Sequence, residues 1–461
     1  MIDDLLLEKL IKQALKRGGD YADVFVERRV TSAVQLEDDR VEKVTGGSDS
    51  GIGIRLIYNG KTAYAYSNDF SEGLLFELAS TVSKIASAGA SPVPVNLKRM
   101  RPEKKMIIAL PPSEVPLHAK VDMVMRGNSV ARKSDGRIVQ ATVIYRDLLQ
   151  QVKILTSEGT LCEDERVYTL GVVQVVAASD GVIQTGYEPV GGHAGFEIFN
   201  GGVIEGLAEK AVKRATMMLK AERAPAGRMP VVISSEAGGT MVHEAVGHGL
   251  EADLVQQGLS VYSDKKGQEI ASGIVTVIDD ATIPNKRGSF LFDDEGVPSQ
   301  QTVLVDKGIL TSYMYDKRTS MKDGVLSTGN GRRESYENKP IPRMTNTFIA
   351  SGEASPDEVL HSVHKGLFVK KMGGGQVNTV TGDFVFDVQE GYLIENGATV
   401  KPVRGATLIG NGPEILKSID MVASDMGFSI GTCGKDGQGV PVSDAMPTLR
   451  IPEMVVGGEI K

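Results

Sequence analysis

Residues Met241 to Asp253 read M-V-H-E-A-V-G-H-G-L-E-A-D. Two histidines, His243 and His248, flank Glu244 within one short segment of helical character, and their spacing poses a geometric problem. At about 100° of rotation per residue, a four-residue step leaves two helical side chains roughly 40° apart, on one face. A five-residue step turns the second by roughly 140°, onto another face. A regular helix would therefore not let both imidazoles hold one ion. Either His248 is not a ligand, or the helix is expanded locally by an i→i+5 turn, a distortion that recurs at functional sites. Gly247 and Gly249 on either side of His248 make such a distortion inexpensive. The competing reading is a buried helix with two hydrogen-bonded histidines. Two of only six histidines in the chain lie here, around a glutamate.

The chemistry suits amide hydrolysis. A zinc ion polarises a carbonyl and lowers the pKa of bound water from about 16 toward roughly 7. It needs about three protein ligands, an open position and a carboxylate near the water as general base. Glu244, adjacent to His243, meets the last requirement. For the third ligand, G-F-S-I-G-T-C-G-K-D-G-Q-G (427–439) places Cys433 among glycines. We read this as an accessible loop whose thiolate suits a metal, against a free loop thiol. Glu251 and Asp253 are candidates to orient an imidazole from behind, or else surface charges at a helix end.

Other chemical signals are weak. Gly60-Lys61-Thr62 lacks the glycine five residues earlier that a phosphate loop requires, since Arg55 stands there. Gly410-Asn411-Gly412 lacks the third glycine of a dinucleotide loop and reads as a helix start. His361 and His364 fall on one face of an expected surface helix. His193, in a glycine-rich loop, either lines a cleft or is structural. No G-x-S-x-G elbow occurs, and Cys162 lies in a strand-like region with no nearby histidine.

Working outward, the pattern predicts an α+β protein: mixed N-terminal α/β units followed by a β-rich C-terminal domain carrying the metal-binding helix. The first unit, 1–95, opens with a helix over 3–16 that Gly18-Gly19 stops. Strands follow, with a hairpin turn at Asn59-Gly60 and a helix over 71–88. Loop chemistry at 88–96 and a basic run, Lys98 to Lys105, suggest a linker. The second unit, 111–222, has a helix over 114–132, strands at 137–145, 150–157 and 166–178, and a helix over 200–220. After a boundary at 224–230, the third unit, 228–461, shows strands at 231–234, 273–280, 302–310, 366–376 and 381–397, and a helix over 413–424.

The chain of 461 residues is 41% hydrophobic and 24% charged, ordinary values for a soluble protein with a large core. A net charge of −8, no tryptophan and 5% aromatics disfavour nucleic-acid binding. Two cysteines suggest a reducing compartment. With neither a signal-peptide pattern nor a long apolar run, a cytoplasmic protein without membrane contact is expected.

Five blocks together resemble the TldD family of zinc peptidases. They are the H-E-A-V-G-H-G-L-E-A-D stretch, G-S-F-L-F-D-D-E-G-V-P (288–298), S-T-G-N-G-R-R-E-S-Y (327–336), P-R-M-T-N-T (342–347) and G-T-C-G-K-D-G-Q-G-V-P (431–441). The likeness is weakest before residue 220. The first block is similar to that family's H-E-x-x-x-H signature. The resemblance implies zinc held by His243, His248 and Cys433, with Glu244 as catalytic base, and separates the chain from TldE (PmbA) subunits, which lack the metal motif. It further implies cleavage of unfolded or extended peptides by a homodimer or by a heterodimer with a metal-free TldE/PmbA-type homologue. Gly373 to Val380, G-G-G-Q-V-N-T-V, would offer a strand edge to such a substrate or be a loop beside an ordinary strand. Arg343 and Asn346 fall in blocks that could line the cleft, with no role attached. Two other readings stand beside the peptidase: a regulatory binding protein without turnover, in line with an older gyrase-modulator label on relatives, and a zinc hydrolase of non-peptide amides.

Overall fold

A computed structural model describes residues 2–86, 97–100 and 106–458. The loop expected at 88–96 and most of the basic run lie outside these residues. The fold is α+β, with mixed α/β structure before about residue 220 and a β-rich remainder.

Helix α1 (Asp4–Ala14) is followed by strands β1 (Tyr21–Glu37), β2 (Arg40–Tyr58) and β3 (Lys61–Ser67), then α2 (Glu72–Ser83). The β2–β3 turn carries Asn59 and Gly60 at φ 49° and 71°, which is what a tight two-residue hairpin demands. Next come α3 (Leu117–Ser134), β4 (Ile138–Thr156), β5 (Thr160–Ser179), β6 (Val182–His193) and α4 (Val203–Leu219). The strands expected separately at 137–145 and 150–157 are one: β4 runs unbroken because Arg146 to Leu149 pair with β1 on one side and β5 on the other.

The first two sequence units share a single sheet, ordered β3-β2-β1-β4-β5-β6. Its long strands are covered in halves. One end packs under α1 and α2 through Leu7, Leu10, Val24 and Ile54, and the other under α3 and α4 through Val34, Val143, Val173 and Ala208. On the opposite face of the first end, Phe25, Ile154 and Cys162 meet Phe292 and Tyr336 of the C-terminal region. Burial on both faces explains the uninterrupted buried run at the start of β1.

The C-terminal region holds two further sheets. In the first, β7 (Gly227–Ile233), β12 (Lys365–Val377), β13 (Asp383–Glu395), β15 (Thr407–Asn411) and β18 (Leu449–Gly457) pair in a closed circuit, with β14 (Ala398–Arg404) beside β13. In the second, β8 (Val277–Asp280), β9 (Gln301–Asp306), β10 (Ile309–Leu310), β11 (Asn346–Ile349), β16 (Gly427–Lys435) and β17 (Gln438–Met446) are ordered β10-β9-β8-β11-β17-β16. Strand β16 thus lies at a sheet edge.

Three expectations change. The strand at 273–280 begins only at Val277. The helix over 413–424 is a short turn of helix, Gly412–Ser418, after which Met421 and Val422 pair with β18. The helix carrying His361 spans Pro356–His361, so His364 falls beyond it and the two share no helical face.

Candidate metal centre

The segment holding the histidines is three kinds of helix in eleven residues. Thr240–Val242 is α-helical, His243–Gly247 is a π turn, and His248–Leu250 is a 3₁₀ turn. The His248 amide donates to the His243 carbonyl, five residues back. That single wide turn absorbs the extra residue and returns His248 to the side of His243. Their ring centroids lie 5.1 Å apart with the planes almost perpendicular.

The surroundings make this geometry compulsory. A Cβ on Gly247 would lie 2.0 Å from Met344 Sδ, and one on Gly249 2.6 Å from the Tyr262 ring. The carbonyls released by the irregular turns are recovered by side chains: the Tyr262 hydroxyl donates to Ala245 at 2.9 Å and the Ser260 hydroxyl to Gly249. Neither residue stood out in the sequence, because nothing local marks a hydroxyl as a partner for a distorted helix.

Cys433 reaches the same point from β16. Potential ligand atoms of His243, His248 and Cys433 all lie within 4.8 Å of one another, and Cys433 Sγ is 3.6 Å from His248 Nε2. The expectation of an accessible loop cysteine is corrected: Cys433 is 3% exposed in a strand paired with Val440. Burial alone would raise its thiol, but the two imidazoles outweigh burial and hold it down at about 5. Burial likewise opposes protonation of both imidazoles, yet the Cys433 thiolate raises His243, and Glu251 with Cys433 raises His248. Two imidazoles and a thiolate without another cation between them form a donor set for a metal ion. His243 Nδ1 is buried without a hydrogen-bond partner and faces Asp444 Oδ2 at 3.8 Å.

Glu251 and Asp253 differ in what they touch. Glu251, fully buried, lies 3.1 Å from His248 Nδ1, as a carboxylate that fixes a ligand imidazole would. Burial opposes its charge, but Lys435 and His248 hold it at about 2. Asp253 instead pairs with Lys435 Nζ at 2.6 Å, and the same ammonium is 3.1 Å from Glu251. Arg343 is fully buried and donates to the Cys433 carbonyl and, at 3.2 Å, to that of Gln438. It buttresses β16 rather than lining a cleft. Asn346, also fully buried, braces the Gly288 amide at 3.0 Å. His193 lies at the end of β6, buried, with Nδ1 3.0 Å from the Ser289 carbonyl, so it is structural. Lys435 and Asp444 were missed; only their nearness in sequence to Cys433 hinted at either.

Glu244 is half-buried and lines a cleft of about 300 Å³ with His243 and Asp444. Among the described residues its carboxylate has no hydrogen-bond or ion-pair partner, and burial raises its pKa against the pull of the two histidines. The cleft's walls are two strand edges. On one side are Lys371 to Gly374 of β12, where pairing with β7 has ended at Val369, and on the other Ser429 to Thr432 of β16.

Fold and site together define a protein with a preformed metal-binding cluster in a β-rich domain, a metalloenzyme arrangement. Family models for the PmbA/TldA metallopeptidase domain 1, central domain and C-terminal domain match residues 22–88, 110–219 and 226–458. A metalloprotease TldD homolog of Haemophilus influenzae is 38% identical over 451 residues, covering 96% of this chain and 94% of the relative. A zinc metalloprotease TldD homolog of Saccharolobus solfataricus is 28% identical over 473 residues, covering 98% and 100%. The chain belongs to the PmbA/TldD metallopeptidase family. Two solved structures share the fold. A putative modulator of DNA gyrase from Thermotoga maritima has a TM-score of 0.82 at 21% identity, covering 98% of this chain and all of that one. TldE from Thermococcus kodakarensis has a TM-score of 0.79 at 19%, with the same coverage. No helix among the described residues is long and apolar enough to cross a membrane.

Proposed function

We propose that the protein is a zinc-dependent peptidase acting on unfolded or extended peptides, of the H-E-x-x-x-H type. The observation that carries this is the meeting of His243, His248 and Cys433 within 4.8 Å beside the unpartnered carboxylate of Glu244. Two nitrogens and one thiolate are the donors zinc prefers, and three protein ligands leave a position open. Zinc bound there supplies Lewis acidity and an acidified water.

The protein's own groups do the rest. Glu251 fixes His248, and Lys435 keeps Glu251 charged. Glu244, held above the usual carboxylate range by burial, takes the proton of the attacking water and returns it to the departing amine. The unpaired edges of β12 and β16 offer main-chain groups to an extended chain, which a folded substrate cannot present. This gives Gly373 and Gly374 a strand-edge role; Gly375 next to them must be glycine, since a Cβ there would lie 1.8 Å from the Phe386 ring. The likeness to TldE supports assembly with a metal-free homologue of that type or with a second copy of this chain, and two unbridged thiols support a cytoplasmic setting.

Glu244→Gln keeps the ligands and removes the base. It is expected to retain about one zinc per chain while hydrolysis of an unfolded protein falls by a factor on the order of 10² to 10⁴. Undiminished cleavage by the zinc-loaded variant would sink this reading.

A further inference from the structure

A second cleft, of about 320 Å³, adjoins the metal cleft between the N-terminal sheet and the β16–β17 hairpin. Arg29, Arg146, Arg287 and Arg332 line it, in a chain of net charge −8. Of the acids that line it, Asp294 and Asp147 are paired with cations, while the exposed Glu334 has no cation partner among the described residues. Asp294 is 2.7 Å from Arg166 and accepts from the Arg333 amide, Asp147 is 2.8 Å from Lys120, and Glu334 accepts from the Gly439 amide.

The arginines are not so matched. Arg332, 4% exposed, donates among the described residues to the Met344 and Pro441 carbonyls, at 2.6 and 2.7 Å, and to no carboxylate. Arg287 donates through Nε to the Gly431 carbonyl at 3.2 Å and has no carboxylate partner among the described residues. Arg146 is exposed and has no hydrogen-bond or ion-pair partner among them. Arg29 is the partial exception, paired with Glu27 at 4.0 Å and donating to the Glu334 carbonyl at 3.5 Å. For the buried Arg332 and the half-buried Arg287, a charge without a carboxylate partner is costly unless an anion completes it, and the exposed Arg146 adds a free guanidinium at the rim.

The cleft borders the metal site. Thr432 lines both, and Gly431, which anchors Arg287, lines the metal cleft one residue further along β16. Tyr187 lines the metal cleft and lies within electrostatic reach of Arg287 and Arg146.

We propose that this cleft binds a carboxylate of the extended peptide lying between β12 and β16, either an acidic side chain or the chain's own C-terminus, and ranks substrates by it. The proposal rests on the peptidase reading and deepens it. Forked, always-charged guanidinium groups match a carboxylate in geometry, and the hydrogen bonds formed are the stronger, charge-assisted kind.

The test uses one unstructured, internally quenched peptide in four forms: neutral with a free C-terminal acid, neutral with a C-terminal amide, and amidated with either glutamate or glutamine beyond the cleaved bond. The zinc-loaded protein is expected to favour the form bearing a carboxylate by about tenfold in kcat/KM, mainly through KM. The acid–amide pair and the Glu–Gln pair tell the two carboxylate sources apart. In Arg287→Gln and Arg146→Gln the ratio within the responsive pair should fall toward one, and Arg287→Lys should retain part of it. Because each ratio is internal to one variant, loss of folded protein does not imitate the result. Equal kcat/KM for all four forms overturns the proposal and leaves the peptidase reading standing. If no form is cleaved, the peptidase reading fails instead, and anisotropy of the same sequences, singly labelled, on the zinc-loaded Glu244→Gln protein decides the anion site. Equal Kd across the four forms would then overturn it.

Discussion

Of the side chains around the metal cluster, Glu251 has the most specific task. It is fully buried, 3.1 Å from His248 Nδ1 and 3.1 Å from Lys435. Glu251→Gln keeps the shape and removes the charge that orients the imidazole. Metal affinity is expected to fall about 10- to 100-fold, measured by competition with a chromophoric chelator. Asp253 meets Lys435 and the Leu254 amide and no ligand imidazole, so Asp253→Asn should cost less; equal losses in the two variants would contradict the distinction. The sequence pointed to Glu251 and Asp253 equally, because both follow His248 at short range. Their separation is a matter of direction: one carboxylate faces the ring and the other an ammonium from β16. Cys433 shows the converse. Its identity as a candidate was legible, but glycine neighbours suggested an exposed loop, whereas pairing with β17 buries it.

At the scale of elements, the π turn is decisive. The five-residue spacing demands a distorted helix, and Gly247 and Gly249 allow one. The structure adds that both glycines are also required by packing against Met344 and Tyr262. Gly249→Ala brings a methyl group into a rigid, buried ring. It is expected to destabilise the protein by about 1–3 kcal/mol, seen as a lower Tm, and to weaken metal binding with it. Tyr262→Phe removes only the hydroxyl that satisfies the Ala245 carbonyl. A loss of roughly 1 kcal/mol is expected in denaturant unfolding of the metal-free protein. No change would mean that water replaces the hydroxyl there. Short helices near residues 356–361 and 412–418 were harder to place from sequence, because apolar spacing over so few residues fits helix and strand alike.

The whole molecule is held across its N-terminal sheet and C-terminal region by buried charges. Arg55 of β2 pairs with Asp23 of β1 and, at 2.7 Å, with Glu295, while Arg166 of β5 holds Asp294. The D-D-E block at 293–295 is thus a docking element rather than part of the metal site. Arg55→Leu leaves buried Asp23 with only Arg333, at 3.6 Å, and buried Glu295 with only the Lys317 amide. It is expected to cost about 3–5 kcal/mol by chemical denaturation, with His243, His248 and Cys433 untouched. Metal removal acts at a different place. Chelation should lower Tm and zinc should restore it, since a ligand present at about 1,000 times its Kd stabilises by about 4 kcal/mol. An unchanged Tm on chelation, with metal loss verified, would mean that the ion does not stabilise the fold.

Several features are written in the chain itself: the α+β class, the hairpin at Asn59-Gly60, the four residues proposed for the chemistry, and the need for a helix that widens between His243 and His248. These follow from local rules, since periodicity, turn residues and donor chemistry act over a few neighbours. The convergence of Cys433 from nearly two hundred residues away follows from strand pairing instead. So do the single sheet shared by the first two units, the choice of Glu251 over Asp253, and the arginines gathered beside the cleft. Each of these is set by which strands lie side by side, and a strand's neighbours are selected by burial over the whole fold rather than by the residues next to it in sequence.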